Sequence, residues 1–130
     1  MHDAPASKIT FDYAIIRVVP SLERGESLNV GVIVFCSEAR FLDAKIELDS
    51  GRLKAFAPNI DIETVEEHLQ TIPRVCAGGK SAGSIGQMTQ RERFHWLVAP
   101  RSTIIQTSPG HCGLCNDPAV VLERLLEKLV

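Results

Sequence analysis

The chain has 130 residues, 45% hydrophobic and 23% charged, with 14 Lys+Arg against 16 Asp+Glu for a net charge of −2. That is one domain of ordinary length, enough to bury a core without disulfide staples, with the balance of a soluble globular protein. The charge excludes a generally cationic nucleic-acid or membrane binder, leaving open only a local basic patch.

Residues 1–8 are polar, contain Pro5 and are expected to be a flexible lead-in to a single domain over residues 9–130. From Ile9 to Val19 the even positions change from polar to apolar, as in a strand that enters the core, and Pro20 ends it. Ser21 to Ser27 is a polar connection turning at Gly25. Leu28 to Cys36, rich in β-branched residues, predicts a central strand in which Gly31 marks a bulge or a close backbone approach. Phe41 to Asp49 alternates apolar with charged residues, the pattern of a half-exposed strand. Short links make these three an antiparallel meander.

The period then changes. Ser50 to Ala57 is a short helical segment stopped by Pro58. Asp61 is an N-cap before Ile62, Val65, Leu69 and Ile72, and Pro73 is expected to end or kink that helix. Cys76 to Gly86, with four glycines, is expected to be a mobile loop. Gln87 to Ala99 is read as a short helix running into a strand at Phe94–Val98, Ser102 to Thr107 as a fourth strand, and Pro109 to Asn116 as irregular. Asp117 as N-cap, Pro118, and Leu122, Leu125, Leu126 and Leu129 define a terminal helix. Strands first and helices later give an α+β fold, an antiparallel sheet of about four to five strands with two main helices packed on one face.

Three clusters carry candidate chemistry. Arg17 interrupts an apolar strand face, and a buried guanidinium needs a partner. Glu23 and Glu26 in the next loop supply one, either as a structural ion pair or as part of a ligand-holding group with Arg24 and Asn29. Arg91, Arg93, His95, Trp96 and Arg101 form the second cluster. Arginine suits phosphate and carboxylate, and Trp96 offers a stacking face, while the alternative is a core of Phe94, Trp96 and Val98 with solvated arginines. The third is His111-Cys112-Gly113-Leu114-Cys115. Its C-x-x-C is half of a zinc site without a second ligand pair, so no metal is expected, and no helix opens on it as a redox motif requires. No nucleotide-binding, phosphate-loop or hydrolase motif is present in the sequence, so no cofactor is expected. The opening lacks a basic stretch followed by an apolar run, so no signal peptide is expected. The run Val30 to Cys36 is far short of the ~20 residues that span a bilayer. Four cysteines without an export signal fit reduced thiols in a cytoplasm.

Several linked motifs are familiar. Tyr13-Ala14-Ile15-Ile16-Arg17-Val18-Val19-Pro20, Glu23-Arg24-Gly25-Glu26 and Asn29-Val30-Gly31-Val32-Ile33 are followed by Glu92-Arg93-Phe94-His95-Trp96-Leu97, Ala99-Pro100-Arg101-Ser102 and Ser108-Pro109-Gly110-His111. Together they resemble the uncharacterised bacterial domain-of-unknown-function family numbered three-zero-three-seven, over about residues 10 to 130. Gly110 and Cys112 depart from its pattern, a branched apolar and a small polar residue being expected there. The resemblance implies a bacterial cytoplasmic protein, often encoded beside a HipA-like kinase, and hence a non-enzymatic binding or regulatory module with that kinase as partner. It marks Arg17, Glu23, Arg24, Glu26, Asn29, Arg93, Trp96, Arg101 and His111 as matching the family's polar pattern. Two alternatives stand beside it. One is a nucleic-acid-associated protein using Arg91, Arg93, Trp96 and Arg101. The other is a phosphate-directed enzyme with His111 as general acid/base and Arg17 and Arg101 as anion clamps. The loop Glu23–Asn29 is expected to share one sheet end with Arg101, and His111 to rejoin them only if Ser108–Gly110 folds back.

Overall fold

A computed structural model of the chain describes residues 8–101 and 103–130. Residues 1–7 of the expected lead-in, and Ser102 at the head of the expected fourth strand, lie outside the described residues. The fold is α+β around a five-stranded antiparallel sheet. Strands β1 (Ile9–Val18), β2 (Leu28–Cys36) and β3 (Phe41–Ile46) form the expected meander, with β2 between its two sequence neighbours. Helices α1 (Ser50–Phe56) and α2 (Ile62–Ala77) follow, then two 3-10 turns, Lys80–Ala82 and Ile85–Gln87, and helix α3 (Gln90–Val98). Strands β4 (Ile105–Thr107) and β5 (His111–Cys115) and helix α4 (Pro118–Leu129) complete the chain. No helix among the described residues is long and apolar enough to cross a membrane.

The two main helices expected on one face are instead divided between both. Ile33 and Phe35 join Leu53, Val65, Leu69, Phe94 and Leu97 in one core, under α1, α2 and α3. Val32, Val34 and Cys36, which alternate with them, join Phe11, Cys115 and Leu122 under α4. The reason is legible in β2: its residues are apolar at both parities, and a strand apolar on both faces needs cover on both.

Two helices run differently from expectation. Pro73 does not end α2, which continues to Ala77. Burial of Val75 and Cys76 against the sheet offsets the hydrogen bond that proline removes. The residues 94–98 are helix throughout, not strand. Thr89 and Glu92 form a reciprocal capping box, and the three-residue spacing of Phe94 and Leu97 turns both into the core. The segment read as a mobile loop is partly α2 and partly the two 3-10 turns.

The segment read as irregular holds β5. β4 and β5 lie in line along one side of β1, Thr107 opposite Ile16 and His111 opposite Tyr13. Between those pairs β1 has two residues and the edge has three, Ser108 to Gly110, so the edge bulges there. Pro109 has no N–H to give. Ser108 mends the gap: its N–H donates to Ile15 O (2.8 Å) and its Oγ accepts from Ile15 N–H (2.8 Å).

Gly31 fulfils both roles expected of it. The β1–β2 register slips between Ile16/Gly31 and Arg17/Asn29, and a Cβ on Gly31 would stand 2.6 Å from the Lys45 carbonyl oxygen.

Candidate functional site

The end of the sheet where β1 leaves and β2 begins carries two adjoining concavities. The first is a groove of about 540 Å3 between the β1–β2 loop and the α1–α2 link, lined by Pro20, Arg24, Glu26, Phe56, Asp61 and Ile104. Gly25 makes the loop compact: at φ 69° it closes a turn in which its N–H donates to Ser21 O (3.1 Å). The Arg24 guanidinium pairs with the Glu26 carboxylate at the rim. Asp61 caps α2, and bonds from the Thr64 hydroxyl, and then from its backbone N–H, hold the Asp61 carboxyl below its ordinary range. That cap is present above the ordinary carboxylate range and is lost as pH falls through the lowered value. Phe56 and Ile104 are large apolar side chains left exposed here, Ile104 by 42%.

The second is a smaller cleft of about 170 Å3 between α2, α3 and β4, lined by His68, Trp96, Leu97, Arg101, Gln106 and Thr107. Arg101 lies over the Trp96 ring, 4.5 Å from its centroid, and donates to the carbonyls of Leu97 (2.9 Å) and Trp96. A cation at the last carbonyls of a helix satisfies them and meets the negative end of the dipole, so Arg101 closes α3. The Thr107 hydroxyl is buried with no hydrogen-bond partner among the described residues. Thr103 and Ile105 join the cleft to the groove through Ile104, whose carbonyl accepts from Val19 N–H (2.6 Å).

The polar residues that share a motif pattern therefore divide. Arg24 and Glu26 line the groove, Trp96 and Arg101 the cleft, and Glu23 is exposed in the same loop. Arg101 thus stands at the loop end of the sheet, as its position before β4 implied. Arg93 belongs to the core instead. It is 8% exposed and donates to Val75 O (2.8 Å), Cys76 O (2.7 Å) and Met88 O (3.1 Å), closing the C-terminus of α2. Arg91 lies over the Phe35 ring, 5.3 Å from its centroid. With these guanidinium groups turned onto the protein itself, the arginines of α3 do not form a basic groove.

Arg17 is half-buried and forms no ion pair among the described residues; Glu26 is taken by Arg24. Arg17 stands opposite Asn29 and Gln106, on the sheet face that α4 covers. Because α4 packs over β2 and β3, the β1 side of that face stays partly open. Arg17→Ala is expected to cost less than about 1 kcal/mol in denaturant unfolding, since no buried carboxylate is stranded. Asn29 donates from Nδ2 to Leu129 O (3.0 Å) and so ties α4 to the sheet. His111 does not fold back. It lies opposite Tyr13, with ring centroids 5.1 Å apart, whereas Arg17 lies further along β1, opposite Gln106 of β4. Arg17, Arg101 and His111 therefore do not converge, and the anion-clamp arrangement has no geometry here.

The strand geometry also separates the C-x-x-C. Residues three apart on a strand point to opposite faces. Cys112 is exposed and Cys115 is buried beside Cys36, with its thiol pushed up by burial and by the Cys36 and Asp117 neighbours. No group of three potential ligands able to hold a metal occurs among the described residues.

What sequence reasoning missed is the apolar part of the site. Phe56 and Ile104 carry no local signal that distinguishes them from core residues; their exposure is a tertiary outcome.

The sequence model of the family described as "Protein of unknown function (DUF3037)" matches residues 13–130, nearly the whole chain. No curated protein and no solved structure matches it.

Proposed function

The chain belongs to the DUF3037 family, and from that premise we propose that it is a non-enzymatic binding module that receives a protein partner at the loop end of its sheet. The observation that supports this reading is the pairing of exposed Phe56 and Ile104 with Arg24, Glu26 and Asp61 around one groove. An apolar surface rimmed by fixed charges is the usual anatomy of a protein-binding patch. Two carboxylates against one guanidinium suit an apolar partner segment flanked by a basic residue. The HipA-like kinase implied by the resemblance is the partner we propose, with the module acting as its regulator in the cytoplasm.

Titration of the kinase into the protein, read by calorimetry, tests this. Ile104→Asp is expected to weaken binding by about 30-fold, the loss of one central apolar anchor, with the thermal midpoint unchanged. Unchanged affinity in both Ile104→Asp and Phe56→Asp would overturn the assignment of this groove.

A further inference from the structure

We propose that β5 is a self-association edge, through which two copies of the chain pair as antiparallel strands about a two-fold axis at Gly113. The two edges of the sheet are built differently. The outer strand β3 carries Asp43 and Lys45, and Lys45 is bound to Glu123 of α4. Charges on an edge discourage a further strand. β5 reads HCGLC, holds no Lys, Arg, Asp or Glu, and among the described residues pairs on one side, with β1. Its Leu114 is 64% exposed, more than any other large apolar side chain among the described residues. Pro109, which has no N–H, closes the pairing-competent stretch at one end and the start of α4 closes it at the other.

The occupant that fits is a second copy. An edge with no fixed charge meets its own image without like-charge repulsion. With the axis at Gly113, Leu114 lies opposite Cys112 of the second copy, and both are exposed in the single chain. His111 lies opposite Cys115 of the second copy, one diagonal step from its Asp117. Asp117 Oδ1 accepts from Ala119 N–H (3.0 Å), which leaves the second carboxylate oxygen for the imidazole donor. By symmetry that complementary contact occurs at both ends of the strand pair. The result is one continuous sheet across the dimer, with the Phe56–Ile104 groove on neither paired strand.

The full chain at tens of micromolar gives the test, by sedimentation equilibrium and thiol cross-linking. Diagonal neighbours on paired antiparallel strands are about 7–8 Å apart, so a short bismaleimide would join Cys112 to Cys112 of the second copy. Cys112 is the one exposed thiol of the four cysteines. The wild type is expected to sediment as a dimer and to cross-link, and Cys112→Ser to stay dimeric without cross-linking. Leu114→Lys, at a site exposed in the single chain, is expected to fold normally by circular dichroism. It should raise the dimer dissociation constant by about tenfold or more, because two like charges then share a diagonal. A monomeric wild type, a dimer that does not cross-link at Cys112, or a dimer unaffected by Leu114→Lys would each overturn the proposal.

Discussion

Arg93→Ala is expected to lower the stability of the protein by about 3–4 kcal/mol, a fall in thermal midpoint of about 10 °C or more. The side chain is buried, and three carbonyl oxygens, of Val75, Cys76 and Met88, depend on it. Alanine leaves these acceptors without a donor in a region closed to water, and opens a hole where the guanidinium stood. Pro73 has no N–H for the Leu69 carbonyl, so the end of α2 rests on the burial of Val75 and Cys76 and on the bonds from Arg93. Arg93→Lys is expected to recover only part of the loss, since one ammonium does not span three acceptors on a planar fork. Gly78 belongs to the same device. At φ 74° it turns the chain out of α2, and a Cβ there would lie 2.7 Å from Arg93 Nη1. Thermal denaturation followed by circular dichroism measures all of this. An Arg93→Ala variant that melts with the wild type would show that the carbonyls find other donors.

Gly31→Ala is the second large effect, expected at about 2–3 kcal/mol. The added methyl would meet backbone, at 2.6 Å from Lys45 O and 3.3 Å from the Ile46 Cα, as well as the Ile16 side chain at 3.0 Å. Backbone in the middle of a sheet does not move aside cheaply, because β1 and β3 are both bonded to β2 at this point. Urea unfolding with an unchanged slope and a lowered midpoint is the expected signature. A variant with the wild-type midpoint would mean that the bulge absorbs the methyl by shifting register.

The contrast between these two residues shows how far the sequence could be read. Gly31 was legible because a glycine inside an apolar strand has few reasons to be there, and steric exclusion is a local property. The three-strand meander and the Asp61 and Asp117 caps were legible on the same ground: alternation, capping side chains and turn residues act within a few positions. Arg93 was not. Its spacing with Arg91 and Arg101 suggested a surface for anions, whereas its donors are used by carbonyls at the end of another helix, 17 and 18 positions earlier in the chain. Arg101 is a partial success, placed at the right end of the sheet but closing its own helix. The helix at 90–98 carried a readable Thr89-x-x-Glu92 signature that strand-like Phe94–Val98 obscured. β5 has no pattern of its own, because a short edge strand buries few of its side chains and takes its shape from β1.

The placement of β1 between near and distant partners governs how the fold can be assembled. One flank of β1 is met by β2 within a short loop, while Ser108, which joins its other flank, is 93 positions from Ile15. Closing so long a segment is entropically slow compared with forming the hairpin. A growing chain therefore acquires its meander early and keeps one side of β1 unmet until the last quarter of the polypeptide has emerged. Through that interval Ile9 to Val18 is an uncapped template for stray strands, and the yield of native protein depends on how promptly residues 104–115 arrive to cover it.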